Sequence, residues 1–552
     1  MHTCRYSWFI DITLLIIGFT ILFGLFLGLH PLGIPDEARY AEIPREMILK
    51  HNYITPYLNG IKYFEKPVLF YWLQVAAIKA FGLSEWAVRF VNALMGLFTC
   101  IIVYCAGRLL FDRRTGLLAS LMLATSTLFF GMAHVVTLDM TFSALVTTSL
   151  LAFLVATQQT NSHIKRYSYY SSYLFAALAI LTKGLIGLIF PLMIIGSWIL
   201  LLNQWRLLKE CYLLSGFIII LLVAAPWHVL VQLHNPEFFN FYFIDQHFLR
   251  YLTKTSGRNK PFWFFIAVFM GGLLPWLCFL PQAIKNSFPL KHNGKLLFLL
   301  LWTSLIFLFY AFSNSKLAPY LLPIFPALAL IIGHYFSTQW EQTTSSVSLR
   351  CGYLALATIL SFLFIAFAYA TQILSLANQL PPITYQIGIL LGVWMITALL
   401  AYYWSWRGKQ SAAFRALFYG TVTAYLIAAS CMSKLDIGSI KPFTEKMLPY
   451  LTTDTIVVSY DNYYQDLPYY LKRRVMIANW RGELKFGMLH QDTHDWMVTD
   501  QQFWPLWQSN KPVFVVMPKK TFIRIRQNLF SFCLMDETAK DVLITNQKSL
   551  CQ

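Results

Sequence analysis

The chain has 552 residues, of which 57% are hydrophobic, 17% aromatic and only 12% charged, and its mean hydropathy is +0.55. Ordinary soluble domains carry about 25% charged residues, so this composition excludes a simple soluble protein and predicts a polytopic α-helical membrane protein. The net charge of +18 fits basic loops between apolar spans. No basic helix or RNA-binding motif stands outside those spans, which argues against a nucleic-acid partner.

Hydropathy and turn residues predict thirteen spans, at about 10–29, 85–107, 116–135, 138–158, 169–182, 184–202, 211–233, 262–281, 296–312, 317–336, 351–372, 384–404 and 414–431. The first run is long and lacks a small-residue cleavage site, so it is expected to be a retained span. Val68–Phe81 is apolar but short, and is expected as a helix lying in the membrane interface. Alternate loops hold Arg5; Arg108, Arg113 and Arg114; Lys165 and Arg166; Arg206 and Lys209; Lys285, Lys291 and Lys295; Arg350; and Arg407, Lys409 and Arg415, against Asp112, Glu210 and Glu341. The positive-inside rule puts this set in the cytoplasm and the tail on the opposite side.

Two loops on that opposite side depart from the rule. One is the opening loop, 30–84. The other, 234–261, carries Arg250, Lys254, Arg258 and Lys260. An anionic substrate held at that surface would compensate for the misplaced charge; contact with lipid headgroups is the structural alternative. The expected domains are therefore 1–432, spanning the membrane, and 433–552, a soluble periplasmic α/β domain. The tail shows β-like runs at Thr455–Ser459 and Val513–Met517 and has no nucleotide-binding glycine loop. It is expected to cap the membrane domain without contributing chemistry. The nine cysteines show no metal-ligand spacing. Cys100 and Cys105 read as packing residues, and Cys533 and Cys551 could pair in an oxidising compartment.

The opening loop is the densest in chemistry. Between Pro35 and Pro67 it holds Asp36, Glu37, Glu42, Glu46 and Glu65, the cations Arg39, Arg45, Lys50, Lys62 and Lys66, and the turn signal Asn59-Gly60. A bland connection between spans needs none of this.

At Asp36-Glu37, followed by Arg39-Tyr40, Glu42 and Phe64-Glu65-Lys66-Pro67, the chain resembles the GT-C membrane glycosyltransferases. It is most similar to the bacterial branch, within the protein mannosyltransferase superfamily, that includes the 4-amino-4-deoxy-L-arabinose transferases of lipid A. The similarity continues through Thr137-Leu138-Asp139-Met140, Gln246-His247 to Arg250-Tyr251, and Ser315-Lys316-Leu317-Ala318-Pro319-Tyr320. Ala38 stands where the family often has Thr, and Ala318 where it often has Pro; neither change removes a charge.

The resemblance implies transfer of a sugar from a polyprenyl phosphate, in this branch undecaprenyl phosphate, to lipid A or another envelope glycan at the outer face of the inner membrane. The carrier departs as a phosphate, so the site must neutralise growing negative charge. Lys66, Arg250 and Arg258 are the candidate cations, with Tyr320 and Tyr40 as further carrier-binding residues. Asp36 is the first candidate for the reacting centre, where it would orient or deprotonate the acceptor or stabilise an oxocarbenium-like sugar. Glu37 and Asp139 are the next catalytic candidates. Pairing with Arg39 is the structural alternative for Glu37, and a helix N-cap is the alternative for Asp139.

A divalent metal ion is a candidate cofactor, with Glu65 and His247 as ligands, although no HExxH motif occurs. His134 and His228 read as packing residues. Aromatics at Pro261–Phe265 and Pro275-Trp276 either line a groove for the lipid or sit in the interface. A different sugar, or a protein hydroxyl as acceptor, would use the same fold. A transporter would show buried mid-span charge pairs and inverted repeats, and neither is evident in the sequence.

Overall fold

The computed structural model describes residues 2–249, 260–289, 293–340, 347–376, 383–431, 438–529 and 531–550. They form two compact units. One is Met1–Leu29, Arg89–Leu230 and Phe239–Leu435; the other is His30–Val88, Val231–Phe238 and Asp436–Gln552.

The first unit is helical. The described residues of all thirteen apolar stretches are largely helical. Among the described residues nine helices are long and apolar enough, or up to eleven if each of two bent pairs counts as one. This does not confirm the expected count of thirteen. Ile186–Leu202, with 17 residues, lies at the lower edge of the length that spans a core of about 30 Å. Ser162–Lys183 opens with His163, Lys165 and Arg166, so its apolar part starts late.

The bent pairs are Arg113–Ala124 with Thr127–Ala133, at 67°, and Phe264–Gly272 with Trp276–Asn286, at 94°. Backbone groups freed at such breaks need partners in an apolar medium, and here the two breaks serve each other. Thr127 N–H and its hydroxyl both donate to Leu274 O, at 3.1 and 3.0 Å. Tyr425 OH donates to Thr125 O, at 3.0 Å, and Trp276 Nε1 donates to Thr125 Oγ1, at 3.0 Å. Trp276 is fully buried and stacks on Phe414, so it belongs to the core and not to a lipid groove. Phe262 and Trp263 are exposed. Asp11, in the first helix, is neutralised by Arg108 at 2.9 Å and Arg113 at 2.7 Å, and accepts from Tyr104 OH.

The second unit is built on a six-stranded sheet and a two-stranded hairpin. The hairpin pairs β1 (Tyr57–Leu58) with β2 (Ile61–Lys62). Its turn residues Asn59 and Gly60 have φ of 51° and 81°, the left-handed backbone that an Asn-Gly hairpin turn supplies. The larger sheet comprises β3 (Ile456–Tyr460), β4 (Met476–Ala478), β5 (Met497–Val498), β6 (Val513–Pro518), β7 (Cys533–Glu537) and β8 (Asp541–Thr545). Its order is β5-β4-β3-β6-β8-β7, parallel from β5 to β6, with β8 and β7 added antiparallel.

The two strands legible in the sequence are β3 and β6, which lie side by side at the centre. Val513, Val515 and Met517 pack into one core cluster, and Phe514 and Val516 into the other. Burial on both faces makes such strands read as continuous apolar runs. The remaining strands are short or partly polar. Residues 30–88 and 231–238, assigned by linear order to the other domain, pack within this unit. Leu32 N donates to Tyr470 OH at 2.8 Å, and Lys441 pairs with Glu85 at 2.6 Å. Cys533 is disulfide-bonded; Cys551 lies outside the described residues.

Candidate active site

In the second unit the acidic loop is a helix, Asp36–Lys50. Three of the five acids serve its architecture. Glu37 accepts from Gly33 N–H at 2.8 Å and is buried. Glu42 is fully buried and receives Arg45 bidentately, at 2.7 and 2.6 Å. Glu46 accepts from Gly60 N–H at 2.8 Å and pairs with Lys50 at 3.2 Å. Asp36 and Glu65 are left with partly exposed carboxylates.

Asp36 opens the helix, where the dipole favours an anion, and 42% of its side chain is exposed. Its partner Arg39 lies 3.4 Å away and is 6% exposed. On its other side Arg39 binds Glu483 at 2.9 Å, and Gln465 Nε2 donates to Glu483 at 2.9 Å. Burial works against the Arg39 charge, but Tyr63, Glu483, Glu65 and Asp36 around it hold the guanidinium well above its ordinary range. Arg39 therefore stands as a fixed cation behind Asp36. Glu65 and Lys66 are half-buried. Tyr40 is buried edge-on against Phe70, with ring centroids 5.5 Å apart, and lies 6.1 Å from Tyr71.

A second cluster lies in the helical unit. Asn92 Nδ2 donates to the carbonyls of Val135 and Thr137, at 2.8 Å each, fixing the turn that starts the helix Leu138–Gln158. Asp139 stands in the first turn of that helix, after the N-cap position held by Thr137. It pairs with Lys183 at 2.5 Å, both side chains being about nine-tenths buried. The Lys183 ammonium sits 4.5 Å from the centre of the Tyr320 ring, which stacks on Tyr310. Tyr320 comes from the short 3-10 helix Ala318–Ile324. His134 and His228 each bond a carbonyl of their own helix, at 2.9 and 2.8 Å, as packing residues do.

Arg250 and Arg258 lie outside the described residues, as does the side chain of His247. Among the described residues no three His, Cys, Asp or Glu side chains come together as a metal site, and no chemical step is assigned to a metal. Two residues of these clusters were not among the site candidates from the sequence. Lys183 had a signal, a lone cation closing an apolar run before Gly184. Glu483 had none, because nothing in a polar stretch marks it as the partner of a residue 444 positions earlier.

Residues 65–229 match the dolichyl-phosphate-mannose-protein mannosyltransferase family, and residues 443–546 match the aminoarabinose transferase C-terminal domain. Undecaprenyl phosphate-alpha-4-amino-4-deoxy-L-arabinose arabinosyl transferase 1 of Proteus mirabilis is 30% identical over 534 residues, covering 92% of each chain. The corresponding transferase of Edwardsiella ictaluri is 28% identical over 486 residues, covering 86% of each. The crystal structure of ArnT from Cupriavidus metallidurans bound to undecaprenyl phosphate superposes with a TM-score of 0.87, at 25% identity and 98% coverage of both chains. The apo structure of the same protein gives 0.86. The identity runs through both compact units, so the chain belongs to the family of undecaprenyl phosphate-aminoarabinose arabinosyl transferases, membrane glycosyltransferases of the GT-C fold.

Proposed function

We propose that the protein transfers 4-amino-4-deoxy-L-arabinose from undecaprenyl phosphate to a phosphate of lipid A, at the periplasmic face of the inner membrane. The observation that carries this reading is the match, 30% identical over 92% of both chains, to a relative named as an undecaprenyl phosphate-aminoarabinose arabinosyl transferase. The local geometry supports it. Asp36 is a partly exposed carboxylate backed by a buried cation, suited to orienting an acceptor at the anomeric carbon.

The resemblance assigns the departing carrier phosphate to Lys66, Arg250 and Arg258 as cations and to Tyr320 as a hydrogen-bond donor. An acceptor phosphate monoester, with a second pKa near 6, is already ionised at neutral pH. Asp36 then acts by positioning more than by proton abstraction. Asp139 holds Lys183 against the ring of Tyr320. The fifteen cationic residues of the alternate loops and a disulfide at Cys533 both favour a periplasmic tail.

Mass spectrometry of lipid A from cells with and without the gene tests the assignment. The expected difference is the mass of one or two aminoarabinose groups; identical lipid A spectra would reject the acceptor.

A further inference from the structure

The strand β2 leads from the Asn59-Gly60 turn into the Phe64-Glu65-Lys66-Pro67 block, and its backbone is fixed from several directions. Gly60 N–H donates to Glu46. Asn59 exchanges two 2.9 Å hydrogen bonds with the backbone of Val475. Gln491 accepts from Lys62 N–H and donates to Gly60 O, at 2.9 Å each. At Gly487 an added Cβ would fall 2.4 Å from Lys62 O, so no other residue fits there without a shift.

The segment Val231–Phe238 meets the same stem at three points. Asn235 Nδ2 donates to Thr55 Oγ1 at 2.9 Å. The Phe238 ring stands edge-on to Phe64, with centroids 5.4 Å apart. Glu237 pairs with Lys62 at 2.8 Å, the side chains being 13% and 20% exposed. Burial pushes the Glu237 carboxyl up, yet the Lys62 ammonium brings it below its ordinary value. The ring contact is apolar and tolerates sliding, whereas a short charged hydrogen bond specifies one register.

We infer that Lys62 and Glu237 are positioning residues. Their ion pair locks Val231–Phe238 onto the stem of the Phe64–Pro67 block, so that Lys66, four residues beyond Lys62, meets the carrier phosphate in one orientation. The pair also neutralises Lys62, which keeps a second ammonium from competing with Lys66 for the phosphate. Neither residue touches the reacting atoms. The inference rests on Lys66 as the cation that binds the carrier.

The test uses the full-length protein in detergent, with undecaprenyl-phosphate-linked aminoarabinose as donor. Lys62→Glu and Glu237→Lys are each expected to raise the donor KM by about tenfold or more while kcat stays within about threefold, the scale of a small misplacement of a binding group. The double exchange, and Lys62→Arg, are expected to restore the wild-type KM. Single reversals with an unchanged KM, or a double exchange no better than the singles, would overturn the clamp. Should a charge reversal fail to fold, Lys62→Met keeps the apolar stem and is held to the same KM criterion. Binding of undecaprenyl phosphate itself is measured in parallel. Wild-type protein that neither binds nor transfers rejects the reading of the site. Wild-type protein that binds, alongside reversed variants that bind equally well, rejects the clamp alone.

Discussion

Glu483→Gln probes whether the C-terminal segment supports the acidic loop. Glu483 binds Arg39 at 2.9 Å, with side-chain exposures of 14% and 6%. At an effective dielectric near 20 that separation corresponds to about 6 kcal/mol of attraction before desolvation is counted. Breaking a buried pair costs about 3–5 kcal/mol. Two features favour the lower end: Gln retains an oxygen that accepts from Arg39, and Asp36 remains 3.4 Å away. A loss of about 3 kcal/mol corresponds to roughly 6–12 °C in the midpoint of a unit of this size.

Transfer should fall as well, because Arg39, having lost one acid, closes on Asp36 and withdraws it from the acceptor. Thermal unfolding of the purified protein reads the first effect, and kcat with a saturating donor reads the second. Glu483→Asp, which restores the charge, should recover part of both. A Glu483→Gln protein with wild-type midpoint and turnover would refute the argument that Arg39 depends on this partner.

Asp36→Asn should abolish transfer while leaving the unfolding midpoint close to wild type, since the side chain is 42% exposed and its ion pair is the longer of the two on Arg39; near-normal turnover would remove it from the reacting centre. Tyr320→Phe should slow transfer less, by the equivalent of about 1–3 kcal/mol for one poorly replaced hydrogen bond, as read from kcat/KM for the donor. Asp466 is fully buried and accepts from Ser439 OH and Ile440 N–H, and burial pushes its carboxyl up to about 7. A folded pKa above the unfolded one means that its contribution is complete below about pH 4 and is lost as pH rises through about 7. The unfolding midpoint should therefore decline over that interval, and Asp466→Asn should flatten the decline; parallel pH profiles would contradict it.

The sequence by itself determined the membrane class and the places of the helices, because an apolar run longer than a bilayer core has few other solutions. It also determined β3 and β6, whose two-sided burial writes an unbroken apolar run, and the hairpin turn, which Asn59-Gly60 encodes locally. It singled out the Pro35–Pro67 stretch as the candidate site, because so many charges beside an apolar span carry a cost that must have a use.

Only the tertiary structure decided which of those charges are spent on architecture. Glu42 and Glu46 look as reactive as Asp36 in the sequence, yet their oxygens are occupied by Arg45 and by Gly60 N–H. Glu483 behind Arg39, Glu237 on Lys62 and Lys183 on Asp139 are pairings between residues distant in the chain. Local pattern carries no record of such contacts, since what sets them is the burial of two charges that must then find each other. Hydropathy likewise marks an apolar stretch, but only the structure shows the helix lengths and the two bends within it.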